Sequence, residues 1–296
     1  MSPSALISKT LKINPLWLSL SSGAISTLAL PPLMCWPVLF ITLPIMVFVL
    51  DDLSKDQQEK PSNNRIHLFR KAALIGWMFG FGFFLPTLYW IGNSFLVEAE
   101  KFAWALPFAV TLLPATLAIF YAAAFASAAL IWTKGPERLI IFPLAICLAD
   151  WLRGHCFTGF PWNLLGHSLT GNTALMQSVS LFGIYGLTAL ACFIFASPAA
   201  LLDRSNKKAI KLNQPLESVP FAAGLMLLVG LYGFGQWRLI QVGPTSFVEN
   251  IELILIQPNV PQQEKVNPAL RAKAFERALN LTQEALKTPS APQPSV

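Results

Sequence analysis

FAWALPFAVTLLPATLAIFYAAAFASAALIWT, residues Phe102–Thr133, runs for 32 residues without a charged side chain. A helix of that length would measure about 48 Å, against roughly 30 Å for the hydrocarbon core of a bilayer. It is long enough to cross with tilt, or with interfacial turns at its ends. Comparable apolar stretches lie on both sides of it. Residues 16–30 and 33–50 read as a tight helical hairpin broken at Pro31–Pro32, where proline removes a helical N–H. Further spans are expected near 72–97, 174–202 and 218–238.

One span is less regular. Leu139–Ala149 holds eleven uncharged residues before Asp150. They cover only about 17 Å as a helix. A span near 138–156 must therefore carry Asp150 and Arg153 to membrane depth, or else be re-entrant. Composition supports the membrane reading throughout. Of 296 residues 54% are apolar and 12% charged, about half the charge of a soluble domain, and the mean hydropathy is +0.54.

The net charge of +6 does not indicate nucleic acid, because the basic residues fall in short clusters between apolar runs. With the N-terminus inside, thirteen of them lie on the inner side: Lys9 and Lys12; Lys55, Lys60, Arg65, Arg70 and Lys71; Lys134 and Arg138; and Arg204, Lys207, Lys208 and Lys211. Only Lys101 and Arg153 fall outside before the last span. That asymmetry follows the positive-inside rule and sends residues after about 240 to the outer face. No cleavage site and soluble domain follow the first apolar run, so it reads as a retained span rather than a signal peptide.

After Arg238 the texture changes. Ile251–Ile256 (IELILI) has the β-branched, bounded character of a buried strand. Pro268–Lys287 shows helical spacing, with Leu270, Ala274, Ala278, Leu281 and Ala285 on one face. The fold class expected is a polytopic α-helical membrane bundle over 1–240. Residues 241–296 form the first strand and helix of an α/β domain whose returning strand is absent.

Asp150–Trp162 (DWLRGHCFTGFPW) holds the densest chemistry. Asp150 and Arg153, at i and i+3, share a helix face and can neutralise each other. Ionisable groups at membrane depth point to function; an interfacial helix-end anchor with a snorkelling arginine is the structural alternative. Gly154, Gly159 and Pro161 favour a non-helical loop, suited to lipid contact or to a plain turn. His155 and His167 lack partners at metal-ligand spacing. Cys35, Cys147, Cys156 and Cys192 show no CxxC spacing, and read as packing residues with neither disulfide nor zinc. Ser94, Ser127, Ser168 and Ser178 lack a GxSxG context. Tyr89, Trp90 and Trp104 fit an aromatic belt, and Glu98 with Glu100 a solvated rim. No nucleophile–base pair is visible.

Three segments together resemble the apolipoprotein N-acyltransferase family of bacterial inner-membrane enzymes. The first is the acid-x-x-Arg-Gly…Thr-Gly-Phe-Pro-Trp pattern, here Asp150, Arg153, Gly154, Thr158, Gly159, Phe160, Pro161 and Trp162. The second is GWMFGFGFFLPTLYWIGNSF (Gly76–Phe95), and the third is IQPNVPQQEK (Ile256–Lys265). Val266 departs from the family, which commonly has Trp there.

The resemblance implies a multi-pass protein of the bacterial inner membrane and a nitrilase-like domain beginning near 241. It also implies transfer of an acyl chain from a phospholipid donor, through a cysteine thioester of a Glu–Lys–Cys triad, to a diacylglyceryl-cysteine lipoprotein. That triad has no match before Val296, so no catalytic residue is assigned and the chain alone is expected to be inactive. Arg153, Thr158, Gly159, Phe160, Pro161 and Trp162 are the expected lipid-facing residues. No metal, cofactor or nucleic acid is expected, and the chain is expected to be a monomer. The competing classes are a transporter or lipid-handling membrane protein, which flux into vesicles would reveal, and a non-catalytic fragment.

Overall fold

The computed structural model describes residues 14–59, 65–133, 135–201, 215–243 and 253–287. Lys9, Lys12, Lys60, Lys134, Arg204, Lys207, Lys208, Lys211 and the first two residues of the expected strand, Ile251 and Glu252, lie outside them. Eight helices of twelve residues or more stand among the described residues. They are α1 (Pro15–Ser26), α2 (Leu39–Glu59), α3 (Arg65–Leu88), α4 (Leu106–Leu130), α5 (Arg138–His155), α6 (Val179–Ala196), α7 (Pro215–Val242) and α8 (Arg271–Lys287). Shorter helical turns connect several of them. The chain divides into two compact units: one ends at Ile91 and resumes over Pro107–Val242, and the other comprises Gly92–Leu106 and residues from Gly243 onward.

In the first unit the helices follow the apolar runs, with informative differences at their ends. Asn14 caps α1, its side chain accepting the Leu16 N–H at 2.9 Å, and Pro15 occupies the first turn, where no N–H is needed. The turn at Pro31–Pro32 falls as expected, but α2 begins only at Leu39, after Pro37. Helix α3 includes Arg65, seven residues before the apolar run, since a helix can continue past an apolar stretch wherever polar residues can be solvated. The sixth run is interrupted: a turn at Thr173–Met176 precedes α6, and Gly183 within α6 takes φ 64° and ψ 174°. Among the described residues five stretches are long and apolar enough to cross a membrane: Trp36–Lys55, Arg65–Leu96, Ala99–Leu130, Val179–Leu201 and Ser218–Val242. Helix α1 is too short for that criterion, and α5 carries charge at both ends.

Close backbone approach and packed aromatic rings hold this unit together. A Cβ on Gly23 of α1 would overlap the Phe79 carbonyl of α3, and one on Gly82 would overlap the Leu20 carbonyl. Small residues at helix contacts gain dispersion energy where lipid removes the hydrophobic advantage. Helices α3, α4 and α5 share a row of rings. Phe79 lies 5.8 Å from Phe125, Phe125 5.6 Å from Phe142, and Phe84 5.4 Å from Tyr121.

The second unit contains α8, whose Ala274, Ala278, Leu281 and Ala285 are half-buried, the face expected from their spacing. Arg277 Nη2 lies 3.5 Å from Glu264 Oε2. Residues 253–260 take neither helix nor strand, and no strand is present among the described residues. A single extended segment has no ladder to join, because strand hydrogen bonds require a neighbouring strand.

Candidate functional site: a charge-clamped loop at the end of α5

Helix α5 ends where Cys156 gives its N–H to the Leu152 carbonyl at 2.7 Å and leaves the helical region with ψ 146°. The chain then doubles back. Gly159 N–H bonds the Cys156 carbonyl at 2.9 Å, and Phe160 N–H returns to the Arg153 carbonyl at 2.8 Å. Phe157, Gly159 and Asn163 all have positive φ, at 56°, 75° and 55°. At Gly159 a Cβ would also overlap the Gly154 carbonyl oxygen, so glycine is required there twice over. Gly154 in turn leaves room for the Tyr185 hydroxyl.

Arg153 fills the space inside this fold-back. Its Nη2 and Nε donate to Asp150 Oδ1 at 2.9 and 3.3 Å. Its Nη1 donates to the Phe160 carbonyl at 2.6 Å and to the Trp162 carbonyl at 2.7 Å. The guanidinium carbon also lies 4.9 Å from the centre of the Phe84 ring, within cation–π range. On the far side of the carboxylate, the Tyr121 hydroxyl reaches Asp150 Oδ2 at 3.5 Å, the outer limit of a hydrogen bond. Asp150 is fully buried and Arg153 is 1% exposed. Burial of such a pair is tolerable because each charge meets its opposite and the remaining donors find carbonyls.

Arg153, expected to face lipid, is buried within the protein. Its donors turn inward, where one carboxylate and two carbonyls satisfy a guanidinium that would be costly to bury unpaired. The other expected residues divide. Thr158, Pro161 and Trp162 are exposed, while Gly159 and Phe160 are half-buried. The Trp162 ring is 5.3 Å from Phe160 and 5.7 Å from Trp90, which lies in the helical turn Tyr89–Leu96 after α3. His155 is exposed, stacked on Trp151 at 4.5 Å with Nδ1 at the Trp151 carbonyl. His167 Nδ1 accepts the Leu164 N–H at 3.1 Å. Burial, helped by the Arg153 charge, pushes the His167 pKa below its ordinary value.

The sequence alone did not reveal a second buried pair. Arg138, the first residue of α5, lies 3.5 Å from Asp51 of α2, and Trp132 donates its indole N–H to Asp51 at 2.9 Å. Arg138 is 4% and Asp51 8% exposed. Both charges flank apolar runs, a weak signal, and nothing in a single sequence pairs residues so far apart.

Apolar helices with their charges paired inside define a polytopic helical membrane protein. The family model described as apolipoprotein N-acyltransferase N-terminal domain matches residues 22–197. The apolipoprotein N-acyltransferase of Rhodopseudomonas palustris is 42% identical over 265 residues, which cover 90% of this chain and 47% of that protein. Those of Allorhizobium ampelinum and Bradyrhizobium diazoefficiens are 38% and 41% identical, covering 94% and 90% of this chain and 50% and 47% of theirs. The chain therefore belongs to the apolipoprotein N-acyltransferase family. It spans about half the length of the curated relatives it matches.

Proposed function

We propose that this chain is the membrane part of an enzyme that transfers a fatty acyl chain from phospholipid to the N-terminal amine of diacylglyceryl-cysteine lipoproteins. The observation that carries the reading is the family match over residues 22–197, which includes the clamped loop. In this reading residues 1–240 form a bundle of seven crossings in the bacterial inner membrane. The N-terminus is cytoplasmic, and residues 241–296 begin a nitrilase-like domain on the periplasmic side. The exposed Thr158–Trp162 segment meets lipid near the outer leaflet. Helix α5 supports a count of seven by serving as the fifth crossing: its 18 residues span about 27 Å, and both of its arginines are paired within the protein.

The chemistry calls for a thiolate nucleophile held as a thioester and a base to manage the proton. No cysteine follows Cys192 in this chain. Residues 1–296 supply binding and orientation for two lipid substrates, and the protein works as a monomer.

A chimera tests the reading. Residues 1–243 of this chain would replace the matching half of the Rhodopseudomonas palustris relative, and triacylated lipopeptide would be measured from phospholipid and a diacylated lipopeptide. Activity is expected; a correctly inserted but inactive chimera would refute the assignment. Chain 1–296 alone is expected to form no product. For orientation, single cysteines at Arg70 and Lys101 in a cysteine-free background are expected to label from the cytoplasmic and periplasmic sides respectively.

A further inference from the structure

Arg153 has five N–H groups to place, and four are accounted for by Asp150 and the two loop carbonyls. Those carbonyls belong to Phe160 and Trp162, on either side of Pro161, which has no N–H of its own to give. Apart from the two backbone bonds made by Gly159 and Phe160, the guanidinium holds this stretch in place. The segment it holds presents Trp162 against Trp90, with Trp162 51% exposed. Trp90 gives its indole N–H to the Thr87 carbonyl at 3.1 Å. Among the described residues no acceptor is found for the Trp162 indole N–H. Trp162 thus offers an apolar face and an N–H donor side by side. That combination matches a fatty acyl ester, whose chain packs on a ring and whose carbonyl accepts a hydrogen bond.

We propose that Arg153 is a positioning residue that touches no lipid itself and holds Trp162 on Trp90 so that the indole receives a phospholipid acyl ester. The proposal rests on the lipid-handling reading above and deepens it. Charge at position 153 acts through the loop backbone. A lysine cannot substitute, since one ammonium lacks the guanidinium fork that meets Asp150 through Nε and Nη2 and the two carbonyls through Nη1. A purely structural arginine would make a different prediction: its loss would weaken the bundle but leave any lipid contact of Trp162 unaltered.

The test uses the chain in nanodiscs of phosphatidylethanolamine and phosphatidylglycerol brominated at defined acyl positions. The Trp162 share of quenching is the difference between the parent and Trp162→Phe. Quenching is expected to be strongest for bromines nearest the ester, and to fall to background in both R153K and R153Q while α6 amides keep their protection from exchange. Gly159 and Phe160 amides should exchange at least about tenfold faster in the variants. Faster exchange with unchanged Trp162 quenching overturns the proposal, as does a Trp162 that is not quenched in the parent.

If both variants misfold, arginine-labelled parent chain decides. Slowly exchanging Arg153 Nη protons, unmoved by a change of lipid headgroup, support the proposal, and an Arg153 signal that follows the headgroup overturns it. In the chimera, R153Q is expected to raise the KM for phospholipid about tenfold with kcat nearly unchanged. A chimera inactive even without R153Q refutes the acyltransferase assignment instead, and leaves the quenching result standing.

Discussion

Replacing Arg153 by methionine strips Asp150 of its cation at a site with no solvent. The carboxylate would keep only Tyr121, at 3.5 Å. Removing one member of a buried pair costs about 3–5 kcal/mol. Removing both charges together is often neutral elsewhere, because two desolvated ions give way to apolar packing. Here a neutral outcome is not expected. The double variant Asp150→Leu/Arg153→Met would also leave the Phe160 and Trp162 carbonyls without their donor. Each orphaned buried acceptor costs about 1–3 kcal/mol, and both belong to a partly exposed segment where water can recover some of that. The double variant should therefore sit about 2 kcal/mol below the parent. R153M alone adds the orphaned carboxylate to that same carbonyl loss and should sit about 6 kcal/mol below it. Reversible unfolding in mixed micelles, followed by circular dichroism on parent, both single variants and the double, would give the full cycle. A double variant as stable as the parent would refute the carbonyl clamp, leaving only an ordinary ion pair.

Three further outcomes follow from particular contacts. Gly159→Ala must hold alanine at φ 75° against the Gly154 carbonyl; the left-handed conformation alone costs about 1–2 kcal/mol. The Gly159 and Phe160 amides should lose exchange protection, and unchanged protection would contradict the fold-back. Gly23→Val places side-chain atoms where α3 backbone passes and should cost about 1–3 kcal/mol by overpacking, read as a lower apparent Tm in detergent; no shift would rule out the close approach of α1 and α3. The third concerns His167, whose pKa in the fold is pushed down by burial and then by Arg153. The unfolded chain then binds the proton more readily. Stability contributed by the neutral ring is fully present above the unfolded pKa of about 6.5, and is lost as pH falls through that value toward the lowered one. Exchange at the Leu164 amide should accelerate between pH 7 and pH 5, and H167Q should abolish that dependence; an identical pH profile in H167Q would exclude the imidazole as its source.

The helices were legible because lipid enforces long uncharged runs, and their interiors coincide with those runs. Their ends were less so. Helix α3 already includes Arg65 and α7 Pro215, in polar sequence that no apolar run marks as helical. The spacing of Asp150 and Arg153 correctly put both charges on one face of α5. The destination of the guanidinium was not readable, because it bonds backbone carbonyls of Phe160 and Trp162, and every residue type carries such a carbonyl. The Asp51–Arg138 pair depends on how α2 and α5 meet, which a single sequence does not encode in local spacing. Residues 253–256 remain outside any strand, since β structure depends on a partner segment rather than on local preference alone.

Charge at the two ends of α5 resolves the difficulty posed by its short apolar run. A lipid-facing helix with eleven uncharged residues would expose an arginine to hydrocarbon at one end or the other. In this bundle Arg138 meets Asp51 and Arg153 meets Asp150, so the helix need not be apolar along its full length. Arg153 also occupies the last turn, where a cation is favoured by the helix dipole. Arg138 stands at the opposite end, where the dipole disfavours it, and there the compensating carboxylate comes from a different helix. The C-terminal pair is thus local and carries a loop, while the N-terminal pair ties α5 to α2. Separate functions follow from that asymmetry: a change at Arg138 should loosen the packing of two helices, and a change at Arg153 should release the loop that bears Trp162.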